Sequence, residues 1–204
     1  KPKDVGSALK EIAPELTREK LLISVAAGIT TEFIQTVLRG SGAKGFAPVI
    51  RAMPNTPATV QEGVTALFAG EGVGDRDIRL AEAVFKSVGK VVVLDDEALM
   101  DAVTGLSGSG PAYFFLIMDA LVQAGVKAGL KQEDARLLSL QTCLGAAKLA
   151  LQSEDKGLGE LRRMVTSPGG TTEAGVRKLE DAGIRDIIMS AVQAAIDRAK
   201  ELSK

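Results

Sequence analysis

The apolar residues of the first half change period repeatedly. Val5, Ala8, Leu9 and Ile12 recur at helical spacing and predict a helix over 4–13 that Pro14 ends. Leu21 to Ala27 is a continuous apolar run closed by Gly28, the pattern of a strand buried on both faces. Thr30 or Thr31 then caps a helix with Phe33, Ile34, Val37 and Leu38 on one face, and Gly40 follows it. Runs over 49–53 and 64–69 predict two further strands. The first of them leads into Met53-Pro54-Asn55-Thr56-Pro57. Asp75 caps a predicted helix over 78–88, and 91–94 reads as a short closing strand. Strands alternating with helices imply an α/β sheet with parallel segments.

After Asp95 the pattern turns wholly helical, so the α/β part is expected over 1–96 and an all-helical part over 97–204. A helical turn is predicted over 98–104. Gly105-Leu106-Ser107-Gly108-Ser109-Gly110-Pro111 reads as a glycine-rich break, with Ser109 as N-cap and Pro111 in the first turn of the next helix. That helix, over 111–129, is apolar nearly all round, which calls for burial in a core or against another subunit. Further helices are predicted over 133–152, 172–181 and 184–203, with a short one ending at Met164.

Composition narrows the function classes. The chain has 204 residues and 46% hydrophobic content, enough for a substantial core. Its 25 basic and 26 acidic residues are nearly balanced, which argues against nucleic acid and against an anionic membrane surface as partners. The apolar window 112–126, broken by Asp119 and Gln123, is short for a bilayer span. The lone Cys143 precludes an internal disulfide, suits a reducing cytoplasm, and is expected as a small core residue. The charged start, Lys1-Pro2-Lys3-Asp4, does not read as a signal peptide. The absence of histidine removes Ser-His-Asp and Cys-His triads and histidine-based metal sites. The acids Asp95-Asp96-Glu97 are adjacent, and adjacent acids rarely converge on one metal ion.

Val165-Thr166-Ser167-Pro168-Gly169-Gly170-Thr171-Thr172 is the strongest candidate for chemistry. Two glycines allow close backbone approach, and two threonines stand where N-caps belong. The N–H groups of a helix start attract an anion such as a carboxylate. The alternative is a tight connection with a threonine cap; the doubled glycine and threonine favour a ligand. Two strand tips, Ala26-Ala27-Gly28 and Met53-Pro54-Asn55, lie where open α/β sheets bind ligands. Ordinary turn chemistry accounts for them equally well. Glu97 suits a helix first turn, or a counter-charge for a cationic ligand group.

Three segments taken together resemble pyrroline-5-carboxylate reductase: Met53 to Pro57, Asp101 to Tyr113, and Val165 to Thr172. Their order and spacing agree with that family over essentially the whole chain. The resemblance implies a Rossmann-type α/β domain followed by an all-α dimerisation domain. It implies reduction of 1-pyrroline-5-carboxylate to L-proline by NADPH or NADH. It also implies a homodimer through the C-terminal helices, extending to a ring of dimers. Thr172 matches the threonine at the ring nitrogen, and Ser167, Gly169, Gly170 and Thr171 match the loop that holds the substrate carboxylate. Glu97 matches an acidic residue near the substrate. Lys1, Ala26, Ala27, Gly28 and Asn55 match positions near the cofactor.

One departure stands out. The family opens with a strand and a Gly-x-Gly-x-x-Gly turn for the pyrophosphate, and no predicted strand of this sequence leads into such a turn. The expectation is an N-terminally incomplete Rossmann domain, short of two central strands, which puts cofactor binding and activity of this chain in question. Two rivals follow: a dimerising helical module without cofactor, and a reductase for a different small imine or keto acid.

Overall fold

A computed structural model describes residues 2–43, 45 and 47–202. It divides into two compact units. The first comprises the chain up to Pro111 together with the segment from Ala191, and the second runs Ala112–Ser190. This division falls later than the one expected after residue 96. The segment just beyond 96 and the end of the last helix both pack with the sheet unit.

In the first unit, β1 (Leu22–Ser24), β2 (Val49–Met53), β3 (Gly63–Ala69) and β4 (Gly89–Leu94) lie side by side in chain order. The β1–β2 and β3–β4 pairs are parallel, and β2–β3 is antiparallel. Side chains alternate across β2, and both of its faces are covered. Val49 joins Leu9, Ala13, Ile34 and Leu38 from α1 (Pro2–Ile12) and its 3₁₀ extension (Ala13–Glu15) and from α2 (Thr31–Gly40). Ile50 and Ala52 join Leu67 of β3 and Ala81 of α3 (Asp75–Lys86) on the other face.

Some expectations need correcting. β1 is half-buried rather than buried on both faces, because it is an edge strand and pairs only with β2. Thr30 is the cap of α2, its hydroxyl accepting from the Phe33 N–H at 3.1 Å. Asp75 does not cap α3: Gly74 is the N-cap, and its N–H donates to the Asp77 carboxylate at 3.2 Å.

The glycine-rich stretch is not a break. It is a π-helical turn (Thr104–Gly108) between α4 (Leu99–Val103) and α5 (Gly110–Lys127). Ser109 is therefore helical rather than an N-cap, and its N–H donates to the Thr104 carbonyl at 2.8 Å. The glycines serve close packing. A Cβ on Gly105 would lie 2.6 Å from Ile196 and 2.9 Å from the Val192 carbonyl of α9 (Ile184–Leu202). Because the turn continues the helix, Leu99–Lys127 runs 29 residues, long and apolar enough by length and composition to cross a membrane, unlike the shorter window read from sequence.

The second unit holds most of α5, then α6 (Gln132–Gln152), α7 (Leu158–Met164), α8 (Thr171–Asp181) and the start of α9. Only Ala135 and Ser139 are buried among its described residues. Ser139 donates to the Met118 carbonyl at 2.9 Å, fixing α6 against α5. Phe114, Phe115, Leu116 and Leu137 are more than half exposed, so the all-round apolar character of α5 is not satisfied within this chain. Cys143 is half-buried rather than a core residue.

Candidate functional site

The loop over 165–170 joins α7 to α8, and local hydrogen bonds shape it. The Val165 and Thr166 N–H groups donate to the carbonyls of Arg162 and Arg163, finishing α7. The Thr166 hydroxyl donates to the Arg162 carbonyl at 2.6 Å. The Gly170 N–H then turns back to the Ser167 carbonyl at 3.0 Å. Gly169 has φ +70, a left-handed conformation that disfavours any residue with a Cβ.

The N-cap of α8 is Gly170, with no side-chain cap, so neither Thr171 nor Thr172 takes that position. Both lie in the first turn instead, where the N–H groups have no intrahelical acceptor. The Glu173 carboxylate reaches back past the N-cap and accepts from the Gly169 N–H at 2.7 Å. Sequence reading missed this residue. An acidic side chain three positions after the N-cap is the capping-box position, and that signal was present. A hollow of about 300 Å³ opens beside the loop, lined by Gly169, Gly170, Glu173, Ala174 and Arg177. Its two charged side chains are of opposite sign.

A second group of charges ties the helices around this loop. Arg162 of α7 donates to Glu180 of α8. Arg185 of α9 forks onto the same carboxylate, with Nε at 2.9 Å from one oxygen and Nη2 at 2.8 Å from the other. The Arg185 hydrogen bond, with Arg162 adding to it, holds the Glu180 carboxyl below its usual range.

In the first unit, both carboxylate oxygens of Glu97 have partners within the chain. Oε1 accepts from the Thr31 N–H at 2.9 Å and Oε2 from the Thr31 hydroxyl at 2.7 Å, which caps α2. Oε1 also meets the buried Arg51 guanidinium at 3.2 Å. The counter-charge expected for a cationic ligand is thus a partner of Arg51, which also faces Asp101 at 3.9 Å. Nor does Glu97 begin the helix, which starts at Leu99.

The strand tips do come together. β1 and β2 are parallel with Ser24 opposite Arg51, so Ala26-Ala27-Gly28 and Pro54-Asn55 leave the same edge of the sheet. Gly28 is buried, with φ +76. The Asn55 amide donates to the Ser107 carbonyl at 3.1 Å and accepts from the Val64 N–H at 3.0 Å. It therefore fastens the β2 tip to the π-helical turn and to β3. Lys1 lies outside the described residues.

The family model described as "Pyrroline-5-carboxylate reductase dimerisation" matches residues 97–202. The pyrroline-5-carboxylate reductase of Pseudomonas aeruginosa is 44% identical over all of this chain, which spans 72% of that relative's length. A solved pyrroline-5-carboxylate reductase from Coxiella burnetii superimposes with a TM-score of 0.91 at 43% identity, over 100% of this chain and 73% of that one. A pyrroline carboxylate reductase from Plasmodium falciparum, solved with NADP bound, gives 0.88 at 33% identity, over 100% of this chain and 79% of that one.

Proposed function

The chain belongs to the pyrroline-5-carboxylate reductase family, and we propose how its residues share that family's reaction. The reaction is reduction of 1-pyrroline-5-carboxylate to L-proline with NADPH or NADH, the last step of proline synthesis. A dimerising module alone is not favoured, because the likeness to reductases extends over the whole chain, sheet unit included.

The substrate side falls to the loop before α8. The N–H groups of Thr171 and Thr172, in the first turn of an 11-residue helix, attract the substrate carboxylate. Ser167, Gly169 and Gly170 shape the approach, and the Thr172 hydroxyl orients the ring nitrogen and relays to it a proton that it takes up from solvent. A protonated imine is already electrophilic, so no side-chain base is required, in keeping with a chain that lacks histidine.

The nicotinamide end of the cofactor suits the edge where Ala26, Ala27 and Gly28 lie beside the Asn55 segment. The ends of adjacent parallel strands are where open α/β sheets take their ligands. Bound there, the nicotinamide supplies hydride for the C=N carbon. No strand leads into a Gly-x-Gly-x-x-Gly turn that would seat a pyrophosphate; the match to that pattern at 40–45 follows α2.

The exposed apolar surface of α5 is assigned to a second copy, which accounts for its length without a membrane. Dimers are proposed to group further into a ring, and the reaction to run in the cytoplasm. The observation that carries the substrate reading is the position of Thr172 in the first turn of α8, after a glycine pair. Thr172→Ala in the full-length enzyme is expected to lower the reductase rate by tens-fold, about 2 kcal/mol in the barrier. An unchanged rate would remove Thr172 from the reaction.

A further inference from the structure

We propose that Glu180, outside the substrate loop, is a positioning residue for it. This rests on the carboxylate-holding role given above to the loop. The loop spans the gap between the end of α7 and the start of α8, so its shape depends on how those helices are held. Glu180 holds them. Its carboxylate takes one hydrogen bond from Arg162 on α7 and a two-pronged one from Arg185 at the start of α9.

Arg162 has two roles in this arrangement. Its guanidinium reaches Glu180 on α8, while its carbonyl accepts both the Thr166 hydroxyl at 2.6 Å and the Val165 N–H at 3.3 Å. The residue whose carbonyl holds the start of the loop is thus the one anchored to the next helix. An isolated surface ion pair would count for little, but a forked arginine–carboxylate contact with a second arginine on the same group is the favourable exception. Among the described residues, no other side-chain hydrogen bond or ion pair of the loop region links α7 to α8. Its remaining bonds, Gly170 to Ser167 and Gly169 to Glu173, lie within the loop and its own helix start. Loss of the Glu180 charge would leave Arg162 and Arg185 without their shared acceptor and let the loop shift against the first turn of α8.

The test uses Glu180→Gln, which keeps the shape and removes the charge, and Arg162→Ala as an independent cut of the same link. In the full-length enzyme, both are expected to raise KM for 1-pyrroline-5-carboxylate about tenfold while KM for the dinucleotide stays within about twofold. Arg162→Lys should recover much of the loss. Amide hydrogen exchange over 166–172 should quicken in both variants relative to wild type. A role confined to folding would instead lower stability without separating the two KM values or changing exchange at the loop. Equal KM shifts, or loop exchange unchanged in both variants, would overturn the proposal. Wild-type enzyme that fails to turn over pyrroline carboxylate would defeat the functional reading; the exchange comparison would still decide whether Glu180 orders the loop.

Discussion

The two units solve the problem of burial differently. The sheet unit buries Ile34, Leu38, Ile50 and Leu67 almost completely, and it takes a charged residue, Arg51, into its interior with partners provided. The helical unit leaves Phe115 at 63% and Leu116 at 71% exposure, and its best-organised polar group, around Glu180, is on the surface. One unit is stabilised by contacts made within the chain. The other has the composition of an interior without the matching surface, and a second copy supplies that surface in a family whose helical domain is defined by dimerisation.

The contrast can be broken most sharply at the exposed helix. Phe115→Asp combined with Leu116→Asp should abolish the dimer, an effect of about 4 kcal/mol or more, read as a halved mass by light scattering. A double variant that stays dimeric would move the interface off this face. The next largest effect is expected at the buried charge. Arg51→Ala leaves Glu97 and Asp101 uncompensated and should cost about 3 kcal/mol in urea unfolding of the sheet unit. The smallest belongs to Glu180. Its carboxyl titrates below the usual range when folded, so its contribution is present above the ordinary carboxylate pKa and is lost as pH falls through the depressed value. An acid titration of stability should show this loss in wild type and a flatter curve in Glu180→Gln.

The regular elements were legible because they depend on local periodicity. The run 49–53 and the long apolar helices appear in the structure where their spacing puts them. What escaped depends on partners distant in sequence. Gly105 to Gly110 has the composition of a loop, yet it is helical, and the close approach of Val192 and Ile196 accounts for the glycine at 105. Glu97 looks like a first-turn acid, yet its hydrogen-bond partner Thr31 is 66 residues away. In the loop before α8 the cap was expected on the threonines, whereas Gly170 takes that position. Threonine is a good cap and an acceptable first-turn residue, so residue type alone could not set the register.

The near absence of buried residues in the helical unit also has a kinetic consequence. The sheet can close its own core in a first-order step. The helices finish theirs only by meeting another molecule, so that step is second-order and slows as the protein is diluted. Sparse chains would carry these four strands paired long before their helical half found a mate.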